Sequence, residues 1–178
     1  MKKVLIISSS LRTNSNSEIL SKAVYEGILS KGNQAEIITL NDKTINFCKG
    51  CLSCQKTGKC IISDSMNEIN EKIMNAEAIV FSTPVYFYGL SGQLKTLLDR
   101  TNPLYIKDYK FRDIYLVYTC ADEELANTKP VIDSLNGWVC CFPKCSYKGE
   151  FAGLGLTDPK AANKAELIQK AQLFGSKI

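Results

Sequence analysis

The sequence predicts a doubly wound parallel α/β sheet of five strands with helices on both faces. Three observations predict it. Val4-Leu5-Ile6-Ile7 and Ala78-Ile79-Val80-Phe81 are short, continuous apolar runs of the kind buried on both faces of a parallel sheet. Between such runs lie stretches whose apolar residues recur at helical spacing. The two signals alternate along the chain, as βαβ crossovers require. Right-handed crossovers leave few topologies. Order 2-1-3-4-5 puts the reversal between the first and third strands, and ligands in such sheets sit there, beyond the C-terminal strand ends.

The elements follow in order. After residues 4–7 comes a polar loop, then a helix over 18–29 with Ile19, Leu20, Ala23, Val24, Gly27 and Ile28 on one stripe. Lys31-Gly32-Asn33 stops it, and residues 35–40 form the second strand. Ser65-Met66-Asn67-Glu68 reads as a capping box opening a helix with Met66, Ile69 and Ile73 inward. The third strand, 78–81, ends in Ser82-Thr83-Pro84, and the helix over 90–100 turns Leu94, Leu97 and Leu98 to the core. Residues 114–118 form the fourth strand. A helix from Pro130 towards Phe142 carries Val131, Leu135, Trp138 and Val139 inward, with Gly137 a point of weakness. The last strand spans 147–156, its glycines at 149, 153 and 155 suggesting bends or close backbone approach. Asp158-Pro159 reads as a cap and first-turn proline for a final helix over 161–174. No linker or repeat divides residues 1–178, so one domain is expected, with a cysteine-rich insertion at 47–61.

Composition bounds the function. A 45% apolar share supplies a sizeable core, and a net charge of +4 from scattered Lys and Arg is no nucleic-acid signature. No stretch is long enough to span a membrane. Lys2-Lys3 precedes only a short apolar run, which does not read as an export signal, so a cytoplasmic protein is expected. In that compartment eight cysteines argue for metal or redox work rather than a disulfide framework. With no histidine, His-based triads, His metal sites and imidazole bases are excluded.

Three loops meet at the predicted crevice. Residues 8–17, Ser-Ser-Ser-Leu-Arg-Thr-Asn-Ser-Asn-Ser, join a strand to a helix start and are rich in donors, a natural phosphate cradle. Arg12 adds a charge-assisted bond. The plainer reading is an ordinary loop with Asn16 or Ser17 as N-cap. Thr83-Pro84-Val85-Tyr86-Phe87-Tyr88-Gly89 places three consecutive aromatics where a planar ring could lie; otherwise they pack on the next helix. Thr119-Cys120 closes the third side. Cys48, Cys51, Cys54 and Cys60, spaced x2, x2, x5, repeat in their first three members the step by which ferredoxins wrap a cubane. A [4Fe-4S] cluster, zinc and a metal-free cysteine loop all stay open. Asp99-Arg100 reads as a cap and ion pair, and Cys140, Cys141 and Cys145 as core.

Those motifs carry a resemblance. Ser9-Ser10-Leu11-Arg12 through Ser17, Thr83-Pro84-Val85-Tyr86 with Gly89, and Gln93 to Arg100 resemble the NADPH-dependent FMN reductase family of the flavodoxin-like fold. The cysteine run resembles its iron–sulfur flavoprotein branch. The resemblance implies bound FMN, its phosphate at Ser10, Arg12, Asn14, Asn16 and Ser17. Its ring would lie against Pro84, Val85, Tyr86, Phe87, Tyr88 and Gly89, with Thr119 and Cys120 beyond. The chain departs from the family pattern at Ser9, Leu11 and Ser15, and Ser65 stands where this branch commonly has aspartate.

The expected function is therefore FMN-dependent oxidoreduction. Hydride comes from NAD(P)H, and electrons go to a flavin, a quinone, an iron–sulfur cluster or a protein. No catalytic side chain is needed beyond the cofactor. The alternatives are a non-enzymatic FMN/[4Fe-4S] carrier reduced by a ferredoxin-like protein, and a zinc-stabilised interaction module. The resemblance also suggests a homodimer or homotetramer, with the apolar segment 103–111 covering a neighbour's flavin or folding onto its own sheet.

Overall fold

The computed structural model describes residues 1–178. Five strands, β1 (Lys3–Ser8), β2 (Gln34–Thr39), β3 (Ala78–Tyr86), β5 (Asp113–Thr119) and β6 (Ser146–Gly153), form a parallel sheet in the order β2-β1-β3-β5-β6. A two-residue strand, β4 (Gly89–Leu90), lies antiparallel to β3. The expected order and its reversal between β1 and β3 are both present. The sheet's alternating side chains build two cores. Val4, Ile6, Ala78 and Val80 face α1 (Asn16–Leu29) and α6 (Ala165–Gly175). Leu5, Ile7, Ile79, Phe81 and Leu116 share the other core with α3 (Met66–Asn75), α4 (Gly92–Asp99) and α5 (Lys129–Val139). A short α2 (Ser53–Thr57) sits inside the cysteine run. No helix is long and apolar enough to cross a membrane.

Several expected boundaries move, each for a local reason. The final helix begins at Ala165 rather than 161, because Lys160 takes φ +63 and the Ala162 N–H is drawn to Asn16 Oδ1 at 3.0 Å. Ser65 makes no cap bond to the helix it precedes: its hydroxyl accepts from Thr44 N at 3.2 Å, while Asp64 Oδ1 accepts from Met66 N at 3.1 Å. Gly137 faces open space and leaves α5 unbroken. The three glycines read near the last strand all act. Gly149, at φ +140, follows a bulge in the pairing with β5, Gly153 lets Leu20 and Leu156 close in, and Gly155 takes φ +64.

Helices α1 and α6 pack closer than the sequence pattern suggested. A Cβ on Gly27 would lie 2.1 Å from Gln172 O, and one on Gly175 would lie 2.2 Å from Val24 O. The two glycines thus admit backbone-to-backbone contact. The segment 103–111 folds onto its own core: Leu104, Tyr109 and Phe111 are buried, and Phe111 packs 5.8 Å from Trp138.

Candidate functional site

The cradle is built by the end of β1 and the start of α1. Ser9 is fully buried, its hydroxyl donating to Ser82 O at 3.0 Å and sharing a hydrogen with Ser91 Oγ at 3.0 Å. It staples the loop to β3 and to the cap of α4. The N-cap of α1 is Ser15, not Asn16 or Ser17: its side chain accepts from Glu18 N at 3.2 Å, and Glu18 Oε2 accepts from Asn14 N at 2.7 Å. Asn14 sits at φ +54, which that return bond supports. Lys22 neutralises Glu18 and, as the largest influence, holds its carboxyl below the usual range. The N–H groups of Ser10, Leu11, Thr13 and Ser15 then find no acceptor in the chain. Free N–H groups ahead of a helix N-terminus, with Arg12 exposed beside them, fit a phosphate.

Two expected donors are already engaged. Asn16 Nδ2 donates to Asp158 O at 2.9 Å and to Leu156 O at 3.4 Å, tying down the segment after β6. Ser17 Oγ shares a hydrogen with Thr119 Oγ1 at 2.8 Å. These side chains join the walls of the crevice; what they leave for a ligand is backbone N–H.

The aromatic loop is not a loop. β3 runs on to Tyr86, five residues past the expected end at 81, and turns back at Phe87-Tyr88 into β4, with Tyr86 opposite Gly89 and Val85 opposite Leu90. Both turn residues are left-handed, Phe87 at φ +50 and Tyr88 at φ +61, the geometry that a two-residue hairpin needs and that Asn-Gly usually supplies. In bulky residues it costs on the order of 1 kcal/mol or more each. The rings do not pack on the next helix: Tyr86 and Tyr88 are half exposed, and Phe87 is 104% exposed. Tyr88 OH donates to Asp122 Oδ2 at 3.0 Å, and Asp122 also accepts from Glu124 N at 2.8 Å and Asn127 Nδ2 at 3.0 Å. Those three donors, Glu124 N foremost, hold the Asp122 carboxyl low, while the carboxylate raises the Tyr88 phenol. Cys120 is a buried wall behind them.

The cysteine run forms a second feature. Leu52 at φ +57 and Gly58 at φ +71 bracket α2, turning Cys54 inward, while Cys48 and Cys51 stay exposed and Cys60 is half-buried. Cys48, Cys51, Cys54 and Cys60 line one recess of about 20 Å³ with Asn102. Cys48 Sγ accepts from Gly50 N at 3.4 Å and from Asn102 Nδ2 at 3.9 Å. Ser53, through its backbone and then its hydroxyl, lowers the Cys51 thiol, while burial and then neighbouring Cys60 raise Cys54. The donor set suits thiolate coordination, yet no three of these groups lie close enough to share an ion. The run is anchored by Arg100, whose side chain is fully buried. Its guanidinium grips both oxygens of Asp64, at 2.8 and 2.9 Å, and donates to Asn46 O at 2.6 Å. Asp99 pairs with Lys95, so the ion-pair reading of Asp99-Arg100 holds. Cys140 and Cys141, expected in the core, are exposed, because α5 ends at Val139 and both follow its last turn; Cys145 is half-buried.

The largest cavity, about 750 Å³, lies at the opposite end of the sheet, between β2 and α3. Within its lining Lys72 pairs with Glu36 and Glu68, and none of the three crevice loops reaches it. The crevice is the better candidate because free donors and exposed rings converge there.

The model of the NADPH-dependent FMN reductase family matches residues 2–143. The chain belongs to that family. An iron–sulfur flavoprotein of Methanocaldococcus jannaschii is 43% identical over 104 residues, 58% of this chain and 54% of that one, so the match spans about half of the relative's length. An iron–sulfur flavoprotein of Methanosarcina thermophila is 28% identical over 138 residues, 77% of this chain and 72% of its own. Among solved structures, an NAD(P)H:quinone oxidoreductase from Methanothermobacter marburgensis superposes with a TM-score of 0.74 at 15% identity, over 99% of this chain and 96% of that one. Identity that low speaks for the fold alone.

As an FMN reductase family member, the chain carries site residues that its sequence pattern left unmarked. Ser15 and Glu18 had a signal, a Ser-x-x-Glu capping pattern at 15–18 like the one at 65–68 that the structure leaves unused. Asp64 stands one position before Ser65, where aspartate was expected, and does the anchoring. Asp122 had no local signal, because its partner Tyr88 lies 34 residues away.

Proposed function

We propose that this protein binds FMN at the crevice and works as an NAD(P)H-dependent oxidoreductase. The observation that carries this reading is the junction of a cradle of free N–H groups with an aromatic hairpin. Ser17–Thr119 ties the cradle to the end of β5, and Tyr88–Asp122 ties the hairpin to the loop after it. The cradle and Arg12 would hold the phosphate, with Ser10, Asn14, Asn16 and Ser17 around it. Pro84, Val85, Tyr86 and Gly89 would border the ring, and Thr119 and Cys120 would close the far wall. When bound, FMN supplies the hydride-accepting chemistry, so no side chain has to act as acid or base. The chain's own work is to fix the phosphate, orient the ring and leave one face open to a nicotinamide and then to an acceptor. We read residues 1–178 as one FMN-binding domain with the cysteine insertion at 47–61. A cytoplasmic setting, where thiols stay reduced, suits eight free cysteines.

The recess of four thiols with N–H donors aimed at Cys48 favours a second reading, an FMN/[4Fe-4S] carrier fed by a ferredoxin-like protein. Iron below about one atom per chain after anaerobic reconstitution removes that reading. The test of the main reading is titration of FMN fluorescence. Wild type should quench it at one equivalent, and Arg12→Ala should weaken binding about tenfold or more through loss of a charge-assisted bond. No quenching by the wild type would overturn the assignment.

A further inference from the structure

The hairpin at 86–89 is strained in a way its own packing does not explain. A two-residue turn with both residues left-handed suits Asn and Gly, yet the chain places Phe87 and Tyr88 there. Strain of this kind persists only where the surroundings impose it, and it concentrates at functional sites. Burial gives nothing back: Phe87 is 104% exposed, so its ring stabilises no core. What imposes the geometry is on both sides of the tip. Val85 and Tyr86 pair with Leu90 and Gly89, and Tyr88 OH is held 3.0 Å from Asp122 Oδ2. Asp122 is itself fixed by Glu124 N and Asn127 Nδ2, and its carbonyl accepts from Gly155 N at 3.0 Å, so it links the loops after β3, β5 and β6.

We propose that this hairpin is a strained aromatic clamp, latched by Tyr88 to Asp122, whose free Phe87 ring stacks on the flat conjugated ring of the co-substrate. The proposal rests on the reductase reading above. It assigns the hairpin tip a different ligand from the hairpin base: Tyr86 and Gly89 border the resident flavin, and Phe87 meets what comes and goes. Two co-substrates share the required chemistry, the nicotinamide of the donor and a quinone-like acceptor. Asp122 and Tyr88 are positioning residues, because they act through the hairpin.

Phe87→Gly separates the possibilities, since it removes the ring and relieves the left-handed strain together. With the FMN-loaded protein, KM for menadione or for NADPH should rise about tenfold with kcat little changed. The co-substrate whose KM rises is the one stacked. The menadione-to-ferricyanide ratio of kcat/KM falls if the acceptor is the partner, because ferricyanide has no ring to stack. FMN affinity should match wild type, and melting should rise by about 2–4 °C as strain is lost. Phe87→Tyr, which keeps a stacking ring, should leave both KM values at the wild-type level. Weakened FMN binding in Phe87→Gly would overturn the proposal by assigning the tip to the flavin, and unchanged KM for both co-substrates would overturn it outright. A wild-type protein that fails to bind FMN would instead sink the reductase reading, a separate result.

Discussion

Single residues anchor the segments around the crevice, and the clearest case is Asp64, which holds the cysteine run to Arg100. Burial pushes its carboxyl up, but Arg100, Asn46 and the Met66 N–H outweigh burial and hold it at about 2. The folded value lies below the unfolded one, so the pair contributes stability that is present above about pH 4 and lost as pH falls towards 2. That contribution is about 2 kcal/mol. Denaturant midpoints measured from pH 6 to pH 2.5 should fall over this window in wild type. Asp64→Asn should start lower by roughly 3–5 kcal/mol, because it leaves Arg100 buried without its counter-charge, and should lose most of the acid slope. The sequence marked Arg100 as one half of an ion pair but not its partner 36 residues away. Burial, not spacing, made that contact, and no local pattern encodes it. Asn16 shows the same limit. It reads as a donor in a polar loop, yet all its side-chain hydrogen bonds go to residues 156–162.

Elements were legible where periodicity is strong. β1, β2, α1 and α4 lie within a few residues of where apolar pattern puts them, and the parallel order follows from alternation. The misread elements are those shaped by tertiary partners. β3 outruns its apolar core because β5 pairs with it as far as Pro84 and β4 pairs with Val85 and Tyr86, and α6 starts late because Asn16 reaches across. Close approach of α1 and α6 was also invisible, since Gly27 and Gly175 look like an ordinary stripe member and a helix end. It makes a direct prediction. Gly27→Ala forces a Cβ against the Gln172 carbonyl and should destabilise the fold by about 1–3 kcal/mol, against the usual helix-favouring direction of a glycine-to-alanine change. A thermal melt unchanged or raised in that variant would contradict the packing described.

At the scale of the whole molecule, one end of the sheet gathers the cradle, the hairpin and the loop after β5. The cysteine run is pinned nearby through Arg100 at the end of α4. Family membership and this convergence both support the FMN site proposed above. The site's three loops could be found in the sequence because they leave the C-terminal ends of β1, β3 and β5, at and next to the order reversal. The hydrogen bonds that join them could not, since each links residues far apart in the chain. The proposed function requires the assembled crevice to present FMN to a nicotinamide. Anaerobic absorbance spectroscopy of the FMN-loaded protein during stepwise addition of NADPH, then NADH, tests it most directly. Full bleaching of one flavin per chain by at least one nucleotide, at about one equivalent, is the expected result. A flavin that remains oxidised with both, yet is reduced by a ferredoxin-like donor, would contradict it.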